Sequence, residues 1–408
     1  MASRGMIPFL VAMMLLTGVC NTLLTKYQDN QCAFDCDNPD VTKRRHFSQP
    51  VLQTLQMFIG EMGCWLVIGA GALYRRYISK TANPSTAGYE AVNTDETNAA
   101  DTPDDYDDDV APVKADGELK GVRILLLSLP AICDICGTTL MNAGLLMVAA
   151  SIYQMTRGAL VLFVGLFSVL FLKRRLLAFQ WISLVGVMLG VAIVGLAGAI
   201  SPDDQKKASG PEGEDVATSN TLLAIVGVLL IAGAQIFTAT QFVLEEYLLE
   251  RSTIEPIHVV GWEGIFGFLV TLVGMVILHF LIGRTEAGRY GYFDMVEGWR
   301  QVTSKPQLWV SSILIMISIG GFNFFGLSVT RSVSATSRST IDTCRTLFIW
   351  IVSLGLGWET FKALQVVGFV LLVYFTFLFN GVVKPPFKWL EADEEVQELL
   401  PEEPIEHQ

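Results

Sequence analysis

A run of about 20 apolar residues is long enough to cross a hydrocarbon core of about 30 Å. This chain of 408 residues carries ten such runs, several with a lone charge near the middle: Glu61, Asp134, Arg157, Glu263, Asp342 and Arg345. A charge at the centre of a membrane helix costs about 2.5–3.5 kcal/mol or more, so each implies a partner or a wet cavity. The pattern predicts an all-α polytopic membrane protein with a polar path through it. Composition agrees: 51% of residues are hydrophobic and 17% are charged, against about 25% charged in soluble domains.

The expected spans are 6–25, 51–73, 122–148, 152–172, 177–198, 220–244, 257–281, 308–329, 333–355 and 364–383. The third and fourth are separated only near Ala150 and Ser151, the eighth and ninth only near Thr330 to Ser332. Between them lie an acidic linker (79–119) and the loops 201–219 and 283–306, all expected to be mobile.

The net charge of −12 is local. Residues 81–119 hold eleven acids against Lys114, and the tail from Glu391 to Gln408 holds eight with no Lys or Arg. Both read as disordered. The basic residues are scattered at span ends rather than gathered into a stripe, which argues against nucleic acid. Of the seven cysteines, Cys20, Cys64, Cys133, Cys136 and Cys344 lie in apolar runs, where thiols act as small hydrophobes. Cys32 and Cys36 share the first hydrophilic loop and could pair if that loop is luminal. The Cys133-x-x-Cys136 spacing lacks the further ligands of a zinc site, so no metal is expected. The first run follows Arg4 without a clear cleavage site and reads as an uncleaved span.

Lys and Arg next to the spans set orientation. Arg75, Arg76 and Lys80, the Lys173-Arg174-Arg175 run, Arg251, Lys384 and Lys388 fall on one side if both termini are cytosolic. The opposing side still receives Lys43, Arg44, Arg45, Arg284 and Arg289.

Internal symmetry is weak but pointed. Gly60-Glu61 in the second run and Trp262-Glu263 in the seventh each follow a proline, Pro50 or Pro256. A shift of 185 positions lays Ala150 on Ala335, Arg157 on Asp342, Ser168 on Ser353 and Gln180 on Gln365. Two five-span halves result: 1–198 with the linker 79–119 inside it, then a loop 199–219, a second half 220–383 and an acidic cytosolic tail 384–408. Five is odd, so the second half enters the membrane inverted, as in many secondary transporters.

Glu61 and Glu263 hold matching places. They could bind a cation, accept a proton, or hold a substrate amine or an Arg; equally, they could join helices through hydrogen bonds. Arg338, Asp342 and Arg345 lie four and three residues apart on one helical face, which could neutralise itself and keep one positive charge for an anion. Arginine suits phosphate or carboxylate, so Arg157 and Arg345 are candidates for substrate contact, with a salt bridge to Asp134, Glu61 or Glu263 as the alternative. Asn21, Asn142, Gln235, Gln241 and Asn323 are polar amides suited to lining a cavity. Glu245 and Glu246, at the end of the sixth run, read as a solvated helix end. Gly186-x-x-x-Gly190 marks a close helix contact. The tail carries an acidic dileucine sequence, Glu395 with Leu399 and Leu400, which a sorting adaptor could recognise. No HExxH, GxSxG or Walker pattern is present, and an enzyme is not expected, nor is a cofactor.

Several segments resemble solute carrier family 35, its F subgroup, in the drug/metabolite transporter superfamily. They are Gly60-Glu61, Leu129-Pro130-Ala131-Ile132-Cys133-Asp134, Gln154-Met155-Thr156-Arg157-Gly158-Ala159 with Gly165-Leu166-Phe167-Ser168, and Gln241-Phe242-Val243-Leu244-Glu245-Glu246. The resemblance implies a ten-helix inverted-repeat transporter with cytosolic termini, in lysosomal, other endomembrane or mitochondrial membranes. It also implies kinship with nucleotide-sugar transporters and, from one member, an adenine nucleotide translocase as a partner. The expected function is alternating-access transport of an anionic or zwitterionic small solute, coupled to a proton or an exchanged counter-substrate. The alternative is a membrane interaction protein whose tails recruit partners.

Overall fold

In the computed structural model, the described residues are 6–34, 45–82, 121–145, 147–148, 153, 156–199, 214–286, 288–289, 291–357, 361 and 363–385. The acidic linker beyond Ala82, Lys43, Arg44, Cys36, most of the 201–219 loop, and the tail from 386 with Glu395, Leu399 and Leu400 lie outside them.

The described residues are helical almost throughout. The helices are α1 Met6–Asp29, α2 Pro50–Met62, α3 Cys64–Ala82, α4 Ser128–Leu145, α5 Leu160–Phe171, α6 Ala178–Ala199, α7 Glu214–Arg251, α8 Pro256–Leu278, α9 Met295–Ser304, α10 Pro306–Ser332, α11 Ala335–Gly355 and α12 Ala363–Phe379. A 3-10 segment, Gly121–Leu127, leads into α4, and a π-turn, His279–Gly283, closes α8. Proline opens α2, α8 and α10, where its missing N–H costs no hydrogen bond. Ser334 caps α11 by accepting from Ser337 N at 3.0 Å, and Asp294 caps α9 by accepting from Glu297 N at 3.3 Å.

Seven stretches of described helix are long and apolar enough to cross a membrane: Met6–Asp29, Pro50–Tyr77, Arg123–Leu145, Ala178–Leu196, Ile225–Arg251, Pro256–Gly283 and Pro306–Ser332. The helices α5 and α12 are apolar but shorter, and α11 carries Arg338, Asp342 and Arg345. The protein is therefore an all-α polytopic membrane protein. Large apolar side chains such as Leu66, Leu73, Phe280 and Ile317 face outward, as a lipid-facing surface requires.

Two expected loops are corrected. The 201–219 loop ends early, because α7 begins at Glu214. The 283–306 segment contains α9, whose Val302 packs with Phe47, Leu52, Leu55, Met275 and Leu308; this short amphipathic helix is too polar to register as an apolar run. The first hydrophilic loop also forms a small hairpin, β1 Cys32–Phe34 against β2 Arg45–His46. Cys32 is disulfide-bonded, while Cys20, Cys64, Cys133, Cys136 and Cys344 are free.

Glycine lets helix backbones meet. The helices α4 and α7 cross at Gly144 and Gly227, where a Cβ on either would stand 2.9 or 3.2 Å from the other's carbonyl oxygen. The helices α6 and α12 cross at Gly190 and Gly368 in the same way, at 3.0 and 2.9 Å, which bears out the Gly186-x-x-x-Gly190 reading. Tightest is α2 on α10, where a Cβ on Gly60 would lie 2.2 Å from the Met316 carbonyl oxygen. Backbone cannot yield as a side chain can, so Gly60→Val is expected to cost about 3 kcal/mol. Gly69→Val, with nothing within 4 Å, is the control; thermal unfolding of the detergent-purified variants checks the contrast.

Candidate functional site

The charged residues converge because α2, α4, α7 and α8 each bring a carboxylate to the middle of the bundle and α11 brings Arg338, Asp342 and Arg345. On α2, Glu61 is 3% exposed and packs against Gly264 of α8, whose missing Cβ leaves room for it. Asn323 of α10 donates to Glu61 Oε1 at 2.6 Å. Next to Gly264, Glu263 is 7% exposed, and its Oε1 has no hydrogen-bond partner. On α4, Asp134 accepts from Thr138 Oγ1 at 3.4 Å. Glu61, Asp134, Glu245 and Glu263 all lie within electrostatic reach of one another and of Arg338.

Arg338 does not behave as its sequence face implies. Rather than sharing Asp342 with Arg345, it is neutralised by Glu245 of α7, donating from Nη1 to Oε2 at 2.6 Å. Its guanidinium lies 4.2 Å over the Phe242 ring and against Gly326. Gln241 donates to the other Glu245 oxygen at 2.9 Å. Among the described residues Asp342 pairs with Arg345, at 3.3 Å, and Arg345 rests over Phe322 at 4.9 Å, its stem filling the space beside Gly18. Arg157 is half-buried, forms no ion pair among the described residues, and lies near enough to Arg345 to repel it. The site thus has an acidic pole around Glu61 and Glu263 and a basic pole around Arg157 and Arg345.

The solvated-end reading of Glu245 and Glu246 is overturned: each is 1% exposed. Glu246 accepts from Ala335 N at 3.1 Å at the start of α11 and pairs with Arg174 of the α5–α6 loop at 2.6 Å. Arg174 also pairs with Glu250, and Ser168 bonds Thr336 nearby at 3.0 Å. This layer ties α5, α7 and α11 together at one end of the bundle. Glu246→Ala leaves the Ala335 N–H without its acceptor and takes one of two carboxylates from the part-exposed Arg174, and is expected to lower stability by about 2 kcal/mol. Glu250→Ala, at the exposed end of the same network, is expected to cost less than about 1 kcal/mol. Thermal unfolding compares them.

The amides divide. Asn323 and Gln241 join the site, and Asn21 accepts from Ser318 at 3.3 Å on the α1–α10 contact. Gln235 turns back on its own helix, donating to the Ile231 carbonyl at 3.2 Å. Asn142 is half-buried on α4. Sequence reasoning missed the structural roles of Gln28, Glu245, Glu246 and Arg174. Gln28 is fully buried at the opposite end, donating to Ser312 Oγ at 2.8 Å. A surface cleft of about 320 Å³ beside Leu24, Tyr27 and Pro306 lies away from the charges. Among the described residues, no group of three His, Cys, Asp or Glu side chains is placed to hold a metal ion.

Residues 119–259 match the family described as nucleotide-sugar transporter. The chain is 36% identical over 400 residues to solute carrier family 35 member F6 of Homo sapiens, covering 96% of this chain and 95% of that protein. It is 39% identical over 373 residues to an uncharacterized protein of Schizosaccharomyces pombe, covering 91% of this chain and 97% of the other. A more distant relative is the UDP-N-acetylglucosamine transporter of Rattus norvegicus, 24% identical over 273 residues, 65% of this chain and 74% of that one. One protein of solved crystal structure shares the fold with a TM-score of 0.56 at 11% identity, covering 96% of this chain and all of that one. By this similarity the chain belongs to solute carrier family 35, in its F6 subfamily, and is a membrane carrier of small organic solutes rather than an enzyme.

Proposed function

We propose that the protein moves an anionic or zwitterionic organic solute across an endomembrane, lysosomal or mitochondrial, by alternating access of two inverted five-helix halves with both termini cytosolic. The halves are residues 1–198 and 220–383, joined by 199–219 and followed by the cytosolic tail 384–408. The observation that carries the proposal is the burial of charges of both signs where α2, α7, α8 and α11 meet, with the half-buried Arg157 left without a counter-ion among the described residues.

The packing partners support the two-half reading. When each helix is exchanged for its counterpart, α1 on α10 becomes α7 on α4, α2 on α10 becomes α8 on α4, and α1 on α11 becomes α7 on α5. The pairs α2–α8, α5–α11 and α6–α12 map onto themselves. Under alternating access, the layer of Arg174, Glu246 and Glu250 is the gate at one end. Gln28 with Ser311, Ser312 and Gln53 is the gate at the other.

The names of the relatives make a nucleotide sugar one candidate substrate; a nucleotide or a smaller metabolite is another. The test is uptake of a broad solute panel by purified protein in vesicles, with and without a pH gradient. Saturable uptake of at least one anionic or zwitterionic solute is the expected result. Uptake of none would leave the second reading, in which the tails recruit a sorting adaptor or an adenine nucleotide translocase and transport is secondary.

A further inference from the structure

We infer that the acidic pole at Glu61 and Glu263 takes up one unit of positive charge from water in each transport cycle, supplied either by an ammonium group on the solute or by a co-transported proton. The inference deepens the carrier reading and rests on it for the word transport; the binding event can be tested alone.

The buried charges, when counted, do not balance. Three buried carboxylates, Glu61, Glu245 and Glu263, and the half-buried Asp134 lie within electrostatic reach of one another and, among the described residues, of one buried base that acts strongly on them, Arg338. That base is already committed to Glu245 at 2.6 Å. Of the other three acids, Glu61 is held by the neutral amide of Asn323 and Asp134 by the neutral hydroxyl of Thr138. Several uncompensated negative charges do not persist in a low-dielectric interior; the groups neutralise by binding protons or cations. Arg345 and Arg157 do not meet the need. The first is held by Asp342, and neither is among the largest charge effects on Glu263, which come from Glu245, Glu61, Arg338 and Asp134.

A second observation, independent of the count, points to a ligand. Glu263 is more than nine-tenths buried and presents an oxygen with no hydrogen-bond partner. A native structure leaves such an atom unsatisfied where an unseen ion or a functional role supplies the partner. The groups facing it are Glu61 from α2, Asp134 from α4, Glu245 from α7 and Arg338 from α11, with the neutral Asn323 on α10 and the Cys64 thiol of α3 beside Glu61. Glu61 and Glu263 occupy the facing positions of the self-paired contact between α2 and α8. An element common to both halves can respond to either side of the membrane as the halves rock, which is the property a coupling site needs.

The probes are methylammonium chloride for an ammonium group and pH for a proton, applied to the full-length purified protein. In the first arm, methylammonium raises the unfolding temperature saturably by several degrees over NaCl of equal ionic strength, and Glu263→Gln abolishes the rise. In the second arm, methylammonium does nothing. Acidification from pH 8 to 5.5 instead loads about one more proton on the wild type than on Glu263→Gln, read by titration in weakly buffered detergent solution. Either result sustains the inference and names the source. Identical responses of wild type, Glu61→Gln and Glu263→Gln to both probes overturn it. Glu263→Asp, which keeps the charge, preserves the response and guards against a folding defect in the neutral variant. Uptake of UMP, UDP-N-acetylglucosamine and leucine into vesicles is run in parallel. Cation or proton binding with no uptake of any solute would end the carrier reading and leave the site standing; uptake with no cation effect would do the reverse.

Discussion

Arg338→Ala is expected to remove about 3–5 kcal/mol of stability, the cost of stripping one partner from a buried ion pair. Arg338 and Glu245 are 2% and 1% exposed and 2.6 Å apart. Without the guanidinium, Glu245 keeps one hydrogen bond, from Gln241, and faces Glu61, Asp134 and Glu263 with no base among them. The loss comes from the orphaned carboxylate rather than from the pair itself. Arg338→Met combined with Glu245→Gln should therefore recover most of it, since an apolar or neutral replacement of both partners is often near neutral. A double-mutant cycle on unfolding in detergent measures the coupling. A single-variant loss under about 1 kcal/mol would show that the pair is not buried as described.

The second large effect falls on transport. Arg157→Ala should cut uptake of the panel's best solute about 10- to 150-fold, the value of one charge-assisted hydrogen bond of about 1.5–3 kcal/mol. Its unfolding temperature should stay close to that of the wild type, because Arg157 has no ion-pair partner among the described residues to leave behind and its removal relieves repulsion with Arg345. Arg345→Ala behaves differently. It orphans Asp342 and should lose stability along with uptake. If Arg157→Ala transports normally while truncation before residue 386 abolishes function, the tails rather than the bundle carry the activity.

Much of this was legible because the membrane imposes a length. Apolar runs near residues 6–25, 51–73 and 257–281 became α1, α2 with α3, and α8, with α3 running on past the apolar run to Ala82, since only a helix satisfies its backbone there. Glu61 and Glu263 were found because a lone acid in such a run has no surface to escape to. Glu245 and Glu246 were misread for the opposite reason. At the end of a run, the sequence cannot show whether water or another helix lies outside, and here the start of α11 lies there. The same limit hid Gln28, whose partners on α10 are 280 or more positions away, and the Lys305 contact to the Cys32 carbonyl at 2.8 Å. Arg338 drew the wrong partner because helical spacing ranks neighbours on one helix and is silent about those on the next. Its pairing with Glu245 across 93 positions is a fact of packing alone.

The central claim is that these charges border a water-accessible path between the halves. Thiol accessibility tests it most directly: Asn323→Cys beside Glu61, and Ile317→Cys on the outward face of the same helix, are placed in a background with Cys20, Cys64, Cys133, Cys136 and Cys344 replaced. The variants are treated in vesicles with a charged, membrane-impermeant thiol reagent. The account predicts that the thiol at 323 is modified, and is protected by transported solute, while that at 317 is not. Modification at neither position, or at 317 alone, would contradict it.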